Sequence, residues 1–394
     1  MASVQKRGNS YFIRVSCGYT ISGKQILKTM TWSPPPGMTE RQIAKELERQ
    51  KVLFEEDCCG QLVSENIKFE DFANQWMEEY AEVKLRERTI ARYKQLEARA
   101  FAAIGHLRID KITTRHVQKF IHNLGKPGLN ARTNGRLSPK TIKNYLSYVS
   151  SVMSYAVSMG MIKDNPCRNV TLPSVGTKER DCYTIEEVQH LLVLLKSEPL
   201  QYQAFFTLAI YSGLRRGELL GLEWKDVNFD TGVISINRTS LYTPQKGIFT
   251  DTTKTKSSQR SLKMPSSVIS LLKEYKVQQS ATRLKLGSKW VDCDRLFTTW
   301  CGSPMHPNTT YKWYHEFCER TGMRPIGIHG FRHFNATLLI SSGTDIKTVS
   351  SMLGHSQAST TLNIYAHTLE QAQAKSTQML ENILSPKTDE AIDQ

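Results

Sequence analysis

The spacing of hydrophobic and polar positions changes period along this chain. Between residues 10 and 32, "SYFIRVSCGYTISGKQILKTMTW" alternates in short β-branched and aromatic runs parted by Ser22-Gly23. A period of two predicts a small meander of strands. "SPPPG" stops it, and Thr39 with Gln42 makes a capping-box start for a helix reaching about Asp57. From Phe69 the apolar residues recur at helical spacing, in "FEDFANQWMEEYAEV", "RTIARYKQLEARAFAAI" and "TTRHVQKFIHNL". The polar, turn-rich "GKPGLNARTNGRLS" follows, and Pro139 takes the first position of another helix that Gly160 can end. "DNPCRNVTLPSVGTKERDC" reads as an extended linker, because its prolines disfavour helix.

A mixed region begins at a further capping box, Thr184 with Glu187. It holds a helix through "VQHLLVLL", an apolar helix "YQAFFTLAIYSG", strands near "GVISINRTSLY" and "QRSLKMP", and helices to the C-terminus. No internal repeat or low-complexity tract interrupts this order. The pattern predicts a multi-domain protein: a small N-terminal β-sheet plus helix over 1–60, an all-α unit over 66–172, and a mixed α+β domain over 180–394. With 394 residues the chain is long enough for sizeable cores. No apolar run is long enough to span a bilayer, and "MASVQKRGNSYF" has no apolar signal stretch, which predicts cytoplasmic residence and no membrane partner.

Composition changes this picture mainly through charge. Cys58 and Cys59 are adjacent, the other cysteines are scattered, and no C-x-x-C pair suggests zinc or redox chemistry. The net charge of +15 instead points to a polyanion, and the usual one is nucleic acid. Residues 1–37 contain Lys6, Arg7, Arg14, Lys24 and Lys28 and no Asp or Glu, which favours a reader of a DNA groove. In the helical unit, Arg92, Lys140 and Lys143 are further candidates for DNA contact.

"IHGFRHF" sets His329 and His333 four residues apart around Arg332. That is a zinc spacing, but Gly330 stands where a metalloprotease needs its glutamate, and Arg332 would oppose a dication. An anion grip is the better reading, with no metal. Three other segments stand out. In "SGLRRGELLGLEW" the apolar helix stops at Gly213 and Arg215 follows the turn. "TKTKSSQRS" is a basic, polar turn between two strands, and in "LGHSQASTTLNIYAHT" His355 lies ten residues before Tyr365.

These four segments, in this order and spacing, resemble the tyrosine recombinase (phage integrase) family. Its pattern is a G-x-R box, a lysine on a β-hairpin, an H-x-x-R box, and L-G-H followed about ten residues later by a nucleophilic tyrosine. The helical unit resembles the family's core-binding domain, and the basic N-terminal sheet resembles the arm-binding module of integrases from conjugative transposons and related phages. The resemblance implies a site-specific recombinase that cuts and rejoins DNA through a covalent 3′-phosphotyrosyl intermediate, integrating and excising a mobile element. It implies double-stranded DNA with core and arm attachment sites, a homo-tetramer on that DNA, an excisionase and a host DNA-bending protein as accessory partners, and no cofactor. A type IB topoisomerase shares the chemistry, but the basic N-terminal sheet argues against it. A non-catalytic DNA-binding regulator would not need the full set of reactive residues.

The chemistry suits these side chains. Arginine forks bind non-bridging phosphate oxygens bidentately and keep their proton, so Arg215 and Arg332 make a clamp for the charge of the transition state. The family pattern disfavours the neighbouring Arg216. Tyr365 is the nucleophile, and Lys254 is the general acid for the departing 5′ oxygen, with Lys256 as the alternative. His329 and His355 act as hydrogen-bond donors to the phosphate, and His329 is also a candidate base for the phenol. His333 reads as a packing residue, Tyr211 and Tyr314 as core or interface residues. Glu218 matches an acidic position of the family and reads either as a residue that orients the site or as an ordinary helix-surface glutamate. After Tyr365, Leu369, Ala372, Met379, Leu380 and Ile383 fall on one helical stripe closed by Pro386, and the resemblance implies a helix exchanged between protomers.

Overall fold

The computed structural model describes residues 3–19, 25–59, 66–131, 133–174, 182–252, 259–355, 357, 359, 361, 362 and 381. The chain divides into two compact units, Met1–Thr177 and Lys178–Gln394.

The first unit opens with strands β1 (Ser3–Arg7), β2 (Ser10–Tyr19) and β3 (Gln25–Trp32), an antiparallel sheet in that order, followed by helix α1 (Glu40–Cys59). The Thr39 amide donates to Gln42 Oε1 at 2.9 Å, as the capping pattern predicts. Along β2, Ile13 and Val15 are buried and Arg14 between them is exposed, so one face of the sheet is covered and the other is open. Helix α1 contacts β2 and β3.

The helical part of this unit contains α2 (Phe69–Trp76), α3 (Glu82–Lys84), α4 (Glu87–Ala100), α5 (Thr114–Leu124) and α6 (Pro139–Ser158). Pro139 opens α6 and the Ser138 hydroxyl accepts the Thr141 amide, a reason for the sharp start. Phe69, Phe72, Trp76, Val117, Tyr148 and Val149 are buried in one core, where Trp76 packs against Tyr93 and Tyr148. Each such side chain contributes roughly 1.5–3 kcal/mol through burial. Two single-turn π segments, Met77–Ala81 and Phe101–Gly105, extend α2 and α4.

In the second unit, α7 (Ile185–Leu195) begins at the predicted Thr184–Glu187 capping box. Helix α8 (Leu200–Ser212) is buried through Ala204, Phe205, Phe206, Leu208, Ala209 and Ile210. Its apolar positions surround the helix rather than form one stripe, which is why it lies within the core. After the short helix α9 (Arg216–Gly221) come β4 (Val227–Asn228), β5 (Val233–Ile236), β6 (Arg238–Thr243), β7 (Gly247–Thr252) and β8 (Arg260–Lys263). Helices α10 (Ser266–Leu286), α11 (Pro307–Thr321), α12 (His329–Ser341) and α13 (Ile346–Leu353) follow. Phe206, Tyr314 and Phe331 form an aromatic cluster joining α8, α11 and α12.

The strands depart from the sequence reading in two respects. "GVISINRTSLY" breaks at Asn237: β5 lies between β4 and β8 in one sheet, and β6 pairs with β7 in another. The basic turn after β7 was expected to join two paired strands, yet among the described residues β7 and β8 are not neighbours. The tight connection at Gly247 (φ 67°) folds β7 back on β6 and satisfies β7 locally.

Candidate active site

The site is built where the ends of four helices meet. Helix α8 stops at Gly213, which takes the left-handed conformation (φ 60°) that a Cβ disfavours. A Cβ there would also stand 2.8 Å from Asn335 Oδ1. The Asn335 amide donates to Ile210 O at 3.0 Å and Tyr211 O at 3.1 Å, so α12 pins the last turn of α8. The chain then leaves at a fixed angle and presents Arg215 at the start of α9.

Helix α9 lies on β6 through glycine. A Cβ on Gly217 would collide with Thr239 Oγ1, and one on Gly221 would sit 3.0 Å from Arg238 O. This approach buries Glu218, only 4% exposed, so it is not a surface glutamate. Its Oε1 accepts from Arg215 Nη1 at 2.7 Å and its Oε2 from the Arg215 amide at 3.0 Å. Arg215 itself remains 39% exposed.

Arg332, on the second turn of α12, is 2% exposed. Its Nη1 donates to Gly213 O at 3.0 Å; its Nη2 donates to Leu353 O at 2.7 Å and to His355 Nε2 at 2.8 Å. Arg215 Nη2 donates to the next carbonyl, Gly354 O, at 3.2 Å. Both guanidinium groups are thus anchored on consecutive residues at the C-terminal end of α13. Helix carbonyl ends attract cations, and Gly354 (φ 65°) turns the chain there. The charges acting most on His355 come from Arg332, Arg215, His329 and Arg260, all basic. Such a cluster suits an anion.

Burial, then Arg332 and the other basic groups, push the His355 pKa down to about 4. The ring is therefore neutral near pH 7. Because Arg332 can only donate, Nε2 is the acceptor and Nδ1 carries the proton, donated to Thr361 Oγ1 at 2.8 Å. The expected role of His355, donation to a phosphate, calls for a proton on the nitrogen that here presents its lone pair to Arg332. Between its ordinary value and about 4 the unfolded chain binds a proton that the folded ring refuses, so stability falls as pH falls through that window. The nitrogen shifts of His355 in labelled, DNA-free protein should stay those of a neutral Nδ1–H ring down to about pH 5. Protonation near pH 6.5 would contradict this environment.

His329, the first residue of α12, is exposed, and its ring meets buried His333 edge-on, with centroids 4.8 Å apart. Among the described residues no three His, Cys, Asp or Glu side chains gather as metal ligands. Tyr314 lies in the core, and Tyr211, read as core or interface, is 40% exposed and so is not a core residue. Lys254, Lys256, Tyr365, Lys24 and the stripe from Leu369 to Ile383 with Pro386 lie outside the described residues.

The basic residues of the N-terminal sheet are divided between its faces. Arg7 and Arg14 flank the Phe12 ring, at 4.4 and 5.7 Å from its centroid, on the open face. Lys6 pairs with Tyr11 and Lys28 with Val15, so both lie on the face that carries Ile13. Arg92, Lys140 and Lys143 are exposed on α4 and α6. Sequence reading missed Arg260, Asn335 and Thr361. Of these only Arg260 left a trace: in "RSLKM" it alternates in phase with Leu262 and Met264.

Residues 183–372 match the phage integrase family, and residues 68–125 match the phage integrase N-terminal SAM-like domain. A tyrosine recombinase XerC-like protein of Caldanaerobacter subterraneus is 29% identical over 96% of this chain and 97% of its own. The ICEBs1 integrase of Bacillus subtilis is also 29% identical, over 70% of this chain and 72% of its own. The Tn1549 transposon integrase, solved in complex with transposon right end DNA, shares the fold, with a TM-score of 0.66, 20% identity, and coverage of 80% of this chain and 99% of that one. These likenesses favour a recombinase over a topoisomerase or a regulator. With two domains of one enzyme family matched in order and a relative aligned along almost its whole length, this chain belongs to the phage integrase family of tyrosine recombinases.

Proposed function

We propose that the chain is a cytoplasmic integrase that moves a mobile element between core attachment sites, with Arg215 and Arg332 holding the scissile phosphate and Tyr365 attacking it. The observation that carries this reading is the anchoring of both guanidinium groups on Leu353, Gly354 and His355. Preorganised donors of this kind stabilise charge that develops on non-bridging oxygens. The Tyr365 oxygen bonds to phosphorus as the bond to the 5′ oxygen breaks, and Lys254 gives that oxygen its proton. The phosphotyrosyl bond keeps the energy of the broken link, so a 5′ hydroxyl from the partner strand can reverse the step without ATP. His329 is exposed at the mouth of α12, suited to meet the phosphate or the phenol.

In this reading residues 1–60 bind arm sites, residues 66–172 grip the core site through exposed cations such as Arg92, Lys140 and Lys143, and residues 180–394 catalyse. Arg7 and Arg14, rather than Lys6 and Lys28, make the open face of the arm reader. Four protomers act on two duplexes, joined through the segment after Tyr365, with an excisionase and a host DNA-bending protein setting direction.

The test is a nicked core half-site that traps cleavage. The full chain should yield a covalent protein–DNA adduct that survives denaturation. Removal of residues 1–60 should spare the adduct and weaken complexes on DNA that carries arm repeats. No adduct with the element's own ends would sink the reading.

A further inference from the structure

We propose that Arg260 is a positioning residue for strand cleavage: it ties Glu218, and through it the Arg215 guanidinium, to the end of α13 that carries His355. The inference rests on the recombinase reading above.

Arg260 begins β8, and its register partner is Ile236; Leu262, on the same face of the strand, pairs with Ile234. Ile234 and Ile236 are core residues, so Arg260 occupies an inward row where an apolar side chain is the ordinary choice. Its side chain is 6% exposed, and a guanidinium buried so deeply demands partners. Nη2 donates to Glu218 Oε2 at 2.9 Å, and Nε donates to Met352 O at 2.6 Å. Glu218 therefore shares its carboxylate between two arginines, one buried and one half-exposed. A Cβ on Gly354 would stand 2.7 Å from Arg260 Nη1, so this glycine also makes room for the arginine.

Three segments meet on this one side chain. Through Glu218 it reaches Arg215, through Met352 the turn that anchors both clamp arginines, and along the chain it follows Lys254 by six residues. Burial pushes the Glu218 carboxyl up; Arg260 and then Arg215 more than offset it and hold the group below the usual carboxylate range. Glu218 thus stays ionised and keeps its grip on Arg215. Without Arg260, burial is left opposed only by Arg215, and the carboxyl takes up a proton at higher pH.

The test is single-turnover cleavage of the trapped half-site by the full chain, followed from about pH 5.5 to 8.5, with DNA affinity measured separately. Arg260→Met should cut the rate about 10²-fold, the scale of a misplaced catalytic group, while affinity changes little. Its rate should also rise with pH through a new ionisation absent from the wild type. Adding Glu218→Gln should abolish that rise and leave a slow, flat profile. Arg260→Lys keeps the charge but cannot span both partners, so it should be slowed less and show no new ionisation. A folded Arg260→Met protein that cleaves like wild type overturns the proposal. So does a loss in both variants that merely tracks the folded fraction by circular dichroism. If wild-type protein forms no adduct, the recombinase reading itself has failed, a distinct result.

Discussion

Tyr365→Phe protein is expected to bind core-site DNA as tightly as wild type and to form no covalent adduct. The substitution removes one oxygen and leaves the ring, so the arginines that hold the phosphate are untouched. A free phenol has a pKa of about 10 and is a poor nucleophile at neutral pH. In the proposed site Tyr365 becomes competent because the phosphate is held beside a cationic cluster, in which Arg332, Arg215 and Arg260 act on His355. Without the oxygen nothing in that cluster can attack phosphorus. The fall should reach the scale of a lost nucleophile, about 10⁶-fold, which in a denaturing gel means no adduct band. An adduct at even a hundredth of the wild-type yield would place the nucleophile on another residue, since a Phe side chain has no substitute chemistry.

How much of this was legible in the sequence depends on how far each residue's partners lie along the chain. Pro139 and the Thr184–Glu187 box announce helix starts by contacts within a turn, and the structure has helices there. The G-x-R, H-x-x-R and L-G-H boxes were legible by order and spacing, and the structure brings Arg215, Arg332 and His355 together. Glu218 could not be decided, because its burial follows from Gly217 and Gly221 lying on β6, a fact of packing. Arg260 belongs both to the basic turn "TKTKSSQRS" and to the strand "QRSLKMP", and a charged side chain in phase with Leu262 and Met264 does not by itself announce burial. Its carboxylate partner is 42 residues upstream, beyond any local rule. The N-terminal sheet teaches the same lesson. Pooling its cations by composition hid what a period of two implies: Arg14 and Lys28 cannot share a face when Val15, not Arg14, is Lys28's register partner. Thr361 left no signal, because a threonine that fixes a histidine tautomer looks like any other.

The second large effect should come from Arg332→Lys, which keeps the charge and loses the fork. In the wild type this side chain donates to Gly213 O, Leu353 O and His355 Nε2, three neutral acceptors on two segments of the fold. A lysine ammonium is a compact point charge that cannot reach carbonyls on both sides and also face a phosphate in the plane of a guanidinium. Cleavage should fall by about 10²–10³-fold, the usual consequence of losing a preorganised oxyanion contact. Stability should fall as well, because each buried carbonyl left without its donor costs about 1–3 kcal/mol. The two consequences separate by measurement. Thermal unfolding reports the orphaned carbonyls, and single-turnover cleavage, run well below the melting transition, reports the clamp. The His355 ring supplies a third readout: its Nε2 loses the guanidinium donor, but the ring stays buried and the lysine keeps a positive charge beside it, so its pKa should stay well below the ordinary value. A lysine variant that cleaves at the wild-type rate would remove Arg332 from the clamp. A histidine that takes up its proton at the ordinary value would show that the guanidinium fork, rather than burial and charge, keeps the ring neutral.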